Sequence, residues 1–131
     1  MTPELTALAL AALLLLAQLG WMALRANLEV GSRYFLSPRD APPTQLPSPG
    51  TMRLKRAYEN HLEALPPFAV AVLVVTLSDA ASPFTAACAW GYLAARALYA
   101  PAYLLGWVPW RSILFGIGYA TSILMILAAL T

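Results

Sequence analysis

Four apolar stretches, each long enough to cross a membrane as a helix, occupy most of this chain. They lie at about residues 4–25, 55–78, 83–105 and 109–130. A membrane span needs about 20 mostly apolar residues, and inside hydrocarbon the backbone polar groups must be satisfied within the helix itself. The pattern therefore predicts an all-α integral membrane protein in which residues 1–131 form a single four-transmembrane-helix bundle.

The composition supports a membrane protein. Hydrophobic residues make up 60% of the chain and charged residues 11%, whereas a soluble domain is about 45–50% apolar and about 25% charged. The chain therefore has too little polar surface to cover a water-soluble globule, and we expect it to contact membrane lipid and no nucleic acid. A single cysteine and a single histidine exclude an intrachain disulfide and argue against a metal site.

The basic residues predict the orientation of the bundle. Between the first two apolar stretches, a loop at about residues 37–51 is rich in proline and reads as an extended connector. By the positive-inside rule this connection is cytoplasmic and both termini are periplasmic. The tryptophans beside the last turn, Trp107 and Trp110, suit a membrane interface. Six of the eight basic residues flank or lie within the first connection: Arg25, Arg33, Arg39, Arg53, Lys55 and Arg56.

A polar stripe enters the second apolar stretch. Arg56, Asn60 and Glu63 recur at steps of three or four residues, so they share one helix face. Ionisable groups inside a membrane are costly and usually face a cavity or a partner. The stripe predicts a polar cleft within the bundle, and the alternative is a buried network that only locks the helices together.

The third apolar stretch carries a matching stripe. Arg96, Tyr99 and Tyr103 also recur at three and four residues. Counting inward from Gly106, at the end of this stretch, places Arg96 at a depth close to that of Glu63. We therefore predict an ion pair between these two side chains.

The fourth helix begins with a further basic residue. Arg111 and Ser112 follow Pro109, which suits the first turn of a helix. Arginine opposes the helix dipole there, so stability alone does not explain it. With the free amides of the first turn, this pair predicts an anion receptor. Further along, Gly116 and Gly118 indicate a close helix contact, either within one chain or between chains.

These residues resemble the motifs of the MAPEG family, the membrane-associated proteins in eicosanoid and glutathione metabolism. The resemblance covers essentially the whole chain in topology. It rests on Arg56-Ala57-x-x-Asn60-x-x-Glu63 followed by Pro67-Phe68, on Arg96-x-x-Tyr99-x-x-x-Tyr103, and on Arg111-Ser112.

The resemblance implies a homotrimer of four-helix bundles that binds glutathione as co-substrate between protomers. It implies a transferase or peroxidase acting on hydrophobic small molecules, in a bacterial inner membrane. In that case Arg111 holds the sulfur as thiolate, with Ser112 beside it, and Arg25 or Arg33 supplies a first-helix contact. The implied glutathione-binding residues are Arg56, Asn60, Glu63, Arg96, Tyr99 and Tyr103.

Three positions depart from the prostaglandin synthase branch of that family. Glu59 stands where that branch has a glutathione-binding arginine, Tyr99 where it has histidine, and Phe115 where it has tyrosine. These departures argue against prostaglandin or leukotriene synthesis. They leave open a second function, a family member without catalysis that serves as a lipid-binding or accessory subunit of a larger membrane complex. A transporter is disfavoured, because the chain has no broken, paired helix repeats.

Overall fold

The computed structural model describes residues 1–106 and 109–131, so Trp107 of the predicted interface pair lies outside the described residues. Three of the helices are long and apolar enough to cross a membrane: the first, the third and the last. The fourth carries Arg96 and three tyrosines, and its membrane span stays a prediction. Within the described residues the helices are α1 (Pro3–Val30), α2 (Ser32–Phe35), α3 (Pro49–Leu77), α4 (Pro83–Leu104) and α5 (Trp110–Leu130).

Three of the long helices begin in the same way. A hydroxyl side chain accepts a hydrogen bond from a backbone N–H three residues later, and a proline follows it at the first helical position. Proline is compatible with that position because its missing N–H would be unpaired there anyway. For this reason α3 begins at Pro49, inside the predicted loop at 37–51. The capping residues are Thr2, Ser48 and Ser82.

The core lies where all four long helices meet. Alanines of α1 allow its backbone to approach α3 and α4 closely. The rings of Phe68 and Tyr92 stack at its centre, with centroids 3.8 Å apart and planes 9° from parallel. The free thiol of Cys88 is buried in the same cluster. The core residues are Ala7, Ala11, Phe68, Ala71, Val72, Val75, Cys88, Ala89, Tyr92 and Met125.

Side-chain hydrogen bonds hold both ends of α1. Near its start, the buried carboxylate of Glu4 accepts a hydrogen bond from the Thr85 hydroxyl in the first turn of α4. Near its end, Glu29 accepts hydrogen bonds from the Ser48 backbone N–H at 3.0 Å and from the Ser48 hydroxyl at 2.7 Å. The hydrogen bonds between Glu29 and Ser48 hold the start of α3 beside the end of α1. They therefore determine where the polar stripe of α3 begins.

Candidate functional site

Arginine side chains and tyrosine rings from three helices stack on one another near the end of the bundle where α5 begins. The guanidinium carbon of Arg96 lies 4.5 Å from the centroid of the Tyr99 ring, and the Tyr99 and Tyr103 centroids are 5.9 Å apart. The Tyr103 ring also lies 4.8 Å from the guanidinium carbon of Arg111 and 5.8 Å from that of Arg56. We call these five residues the arginine–tyrosine stack. A cation over an aromatic face gains about 0.5–1 kcal/mol at exposed sites and about 2 kcal/mol or more when desolvated.

Arg96 is the most enclosed member of the stack. It is 1% exposed, and its Nε and Nη2 atoms have no hydrogen-bond partner among the described residues. Gly118 of α5 packs beside it, and a Cβ built there would lie at the ordinary contact distance of 3.6 Å from Arg96 Cδ. A buried cation without a paired anion is costly. The Arg96 guanidinium is therefore a strong candidate to donate hydrogen bonds to a ligand.

An apolar-walled cavity of about 240 Å³, which we call the inner cavity, lies between α3, α4 and α5. Its polar edge contains Arg96, Glu63 and the Asn60 side chain, whose Oδ1 atom is buried and has no hydrogen-bond partner among the described residues. Its other walls are mostly hydrocarbon, so it suits the lipophilic part of a ligand. The lining residues are Asn60, Glu63, Ala64, Pro67, Arg96, Phe115, Gly118, Tyr119, Ser122, Ile123 and Ile126.

A second cavity of about 170 Å³, the outer cavity, lies at the first turn of α5. Arg111 and Ser112 line it from α5, and the Tyr99 ring lines it from α4. It is more polar than the inner cavity and holds both residues that the sequence analysis assigned to catalysis. Its lining residues are Asn60, Tyr99, Arg111, Ser112 and Phe115.

Together the stack and the two cavities contain the six predicted glutathione-binding residues and both predicted catalytic residues, but neither Arg25 nor Arg33. Arg56 and Tyr103 line neither cavity but belong to the stack. The assignment of these residues to a ligand stays a prediction. The cavity-lining members are Asn60, Glu63, Arg96, Tyr99, Arg111 and Ser112.

The predicted ion pair between Glu63 and Arg96 is wrong. Both side chains line the inner cavity, yet no salt bridge within 4.0 Å joins them among the described residues. The Arg96 side chain is buried against the Tyr99 ring, whereas Glu63 is exposed. Helical spacing predicted their shared depth but not their side-chain directions.

The other charged residues near this region line neither the inner nor the outer cavity. Glu59 pairs with Lys55 at 3.7 Å, and each side chain is 50% exposed. On α1, Arg25 lies 3.6 Å from Glu29, which receives the hydrogen bonds of Ser48. Arg33 is exposed in α2. Since neither Arg25 nor Arg33 lines the inner or outer cavity of its own chain, the choice between them stays open.

One buried polar contact, between Gln18 and His61, was not predicted from the sequence. Gln18 Oε1 and His61 Nδ1 are 2.7 Å apart, with Gln18 4% exposed and His61 fully buried. The Tyr92 ring lies beside His61, with centroids 6.5 Å apart. One signal was available: Gln18 is an isolated polar residue within the apolar stretch LLLLAQLGWM. Such a residue inside a membrane helix usually finds a partner on another helix.

The long apolar helices define an integral membrane protein, and the cationic cleft between them is its candidate ligand site. The MAPEG family model matches residues 4–131, and the chain belongs to that family. A comparison with curated proteins finds no match. Members of the family generally use glutathione, and membership supports a glutathione-related membrane function, of the transferase or peroxidase type or a related one.

Proposed function

We propose that this protein is a glutathione-dependent transferase or peroxidase acting on lipophilic electrophiles. One observation carries the proposal: the guanidinium groups of Arg56, Arg96 and Arg111 gather around two tyrosine rings, beside a cavity with hydrocarbon walls. Such an arrangement offers binding for an anionic, water-soluble ligand next to space for an apolar one.

The donor set fits glutathione. Its two carboxylates need cationic partners, which the arginines of the stack provide. Its ammonium group needs an acceptor, and Glu63 lines the inner cavity without a cation within 4.0 Å among the described residues. Asn60 lines both cavities and supplies a buried amide oxygen that has no hydrogen-bond partner in the part of the chain that the structure describes. These residues would hold the peptide part of the ligand.

Arg111 would stabilise the reacting thiolate. Glutathione supplies a thiol, and a free thiol of pKa about 8.5 is mostly protonated at neutral pH. The Arg111 guanidinium keeps its positive charge, so it favours the anion without competing for the proton. The Ser112 hydroxyl lines the same cavity and can donate a hydrogen bond to the anion.

We further propose the membrane arrangement. The protein crosses a bacterial inner membrane four times, with α4 as the third span in chain order, both termini in the periplasm, and three copies forming a homotrimer. The exposed positions of Glu63 and Ser112 support association, because a neighbouring copy would shield them from lipid. Alkaline phosphatase fused after Thr131 tests the orientation: periplasmic activity is expected, and a cytoplasmic C-terminus would overturn it.

Isothermal titration of the detergent-solubilised protein with glutathione tests the proposed function. We expect saturable binding that Glu63→Gln and Arg111→Ala each abolish. Glu59→Gln is the matched control for the first variant, since Glu59 lies one turn away and pairs with Lys55. Arg39→Ala controls for the second, because Arg39 is exposed in the loop after α2 and contacts Phe35.

The same titration distinguishes the proposed enzyme from an accessory subunit. Absence of binding at millimolar glutathione would overturn the enzymatic proposal and favour a subunit without catalysis. Binding that survives both site substitutions would place the ligand away from the two cavities.

A further inference from the structure

The inner and outer cavities meet at two side chains. Asn60 and Phe115 are the residues that line both. Asn60 is polar and offers hydrogen bonds to the peptide-like ligand. Phe115 has no polar group, so its ring is the apolar boundary between the cavity that holds Arg111 and the cavity with hydrocarbon walls.

The sizes of the cavities indicate that they act together. Ligand pockets usually enclose about 300–1,000 Å³. The inner cavity of 240 Å³ and the outer cavity of 170 Å³ each fall below that range, whereas the two combined lie within it. A reaction between a thiol in the outer cavity and an apolar reactant in the inner cavity would therefore take place at the boundary that Asn60 and Phe115 line.

The boundary presents a flat aromatic surface. The rings of Phe115 and Tyr119 are 6.3 Å apart between centroids and 16° from parallel, and both line the inner cavity. Offset parallel rings of this kind accept a further planar group at a favourable stacking distance. Pro67 of α3 also lines this cavity.

We propose that Phe115 determines the specificity of the lipophilic reactant, favouring flat, uncharged, conjugated electrophiles over branched ones. This inference rests on the proposed function, since it concerns the second reactant of that site. A planar molecule stacks along the Phe115 ring and presents its reacting carbon toward Arg111. A branched molecule of similar polarity meets the edge of the ring and stays in the inner cavity.

Turnover of two matched reactants tests the inference. Chlorodinitrobenzene is flat, and its tert-butyl-substituted analogue is branched. In each case a sulfur–carbon bond forms, the carbon–chlorine bond breaks, chloride leaves, and the thiol proton passes to solvent. We expect the wild-type protein to have a higher kcat/KM for the flat reactant than for the branched one. Phe115→Ala should reduce this ratio, flat over branched, by about tenfold or more, which is the scale of discrimination that a small difference in apolar size gives in a pocket.

Two control variants isolate the ring. Phe115→Tyr keeps the flat surface and should keep the wild-type ratio. Ile117→Ala lies two residues further along α5, is 43% exposed in the wild type and lines neither cavity, so it should leave the ratio unchanged. An unchanged ratio in Phe115→Ala, with glutathione binding intact, would overturn the inference.

A binding measurement separates this inference from the proposed function. Dinitrobenzene and its tert-butyl analogue lack the leaving group, and their dissociation constants can be measured by tryptophan fluorescence without glutathione. We expect Phe115→Ala to reduce the preference for dinitrobenzene over its tert-butyl analogue, measured as the ratio of their dissociation constants, by the same factor. If the wild-type protein turns over neither chlorinated reactant, the proposed function fails. The two dissociation constants then decide by themselves whether Phe115 selects ligands by shape.

Discussion

The guanidinium carbon of Arg111 lies 4.8 Å from the centroid of the Tyr103 ring, and Arg56 approaches the same ring to 5.8 Å. One aromatic side chain of α4 thus orients a cation from α5 and a cation from α3. Without the ring, the two like charges would have no common partner in the stack. The ring therefore fixes the separation of the proposed catalytic arginine from a proposed binding arginine.

Replacing Tyr103 tests this role. Tyr103→Leu removes the aromatic face from both arginines. A cation–π contact is worth about 0.5–1 kcal/mol at exposed sites, so we expect the dissociation constant of glutathione, measured by titration, to rise by about two- to fivefold. Tyr103→Phe keeps the ring and should bind like the wild type. Equal losses in the two variants would assign the effect to the phenol hydroxyl instead.

Replacing Arg111 by lysine tests how the cation acts. Lysine keeps a positive charge but lacks the planar fork of donors and its stacking on the Tyr103 ring. We therefore expect Arg111→Lys to retain partial activity and Arg111→Ala to lose it. The ultraviolet absorbance of bound thiolate reports the same interaction without turnover. Full activity in Arg111→Lys would mean that Arg111 is not at the sulfur.

Gly118 tests the packing that holds Arg96. A Cβ at this position would lie 3.6 Å from Arg96 Cδ and 3.7 Å from the Tyr92 ring, which is ordinary contact. Gly118→Ala should therefore be tolerated, whereas the longer side chain of Gly118→Leu would displace Arg96. Overpacking of this kind costs about 1–3 kcal/mol, which thermal unfolding in detergent would measure.

Gly116 is the matched control for Gly118. It lies on the same helix and has no atom within 4 Å of a built Cβ, so Gly116→Leu should leave the unfolding temperature close to that of the wild type. Similar losses in both leucine variants would trace the effect to α5 in general rather than to Arg96.

The buried contact between Gln18 and His61 gives a fourth prediction. Gln18→Leu leaves His61 Nδ1 without its partner at 2.7 Å. An unsatisfied buried donor costs about 1–3 kcal/mol, so the free energy of unfolding should fall by that amount. The double variant Gln18→Leu with His61→Leu should recover part of the loss, because both polar groups are then removed.

The control for this pair is Gln45→Leu, which changes an exposed glutamine of the connector. It should leave the free energy of unfolding unchanged. If the double variant loses as much unfolding free energy as the two single variants combined, the two side chains do not stabilise the fold through each other.

Much of the site was predictable because helical spacing is rigid. Residues three and four apart share a face of any helix, so Arg56, Asn60 and Glu63 were placed on one side of α3 before the fold was known. The direction of a long side chain is not set by spacing. Arg96 was predicted at the right depth but with the wrong partner, since its guanidinium lies against the Tyr99 ring rather than beside Glu63.

The amino-acid sequence by itself determined that this is a helical membrane protein with polar groups inside it. In lipid a long apolar run satisfies its backbone hydrogen bonds as a helix, and the MAPEG family model matches residues 4–131. Only the tertiary structure decided that Phe115 lines both cavities and that one ring, Tyr103, contacts two arginines. Those relationships depend on how three helices rotate about their own axes as they pack. Sequence periodicity shows which residues share a face of one helix, but it does not show which residues of different helices become neighbours.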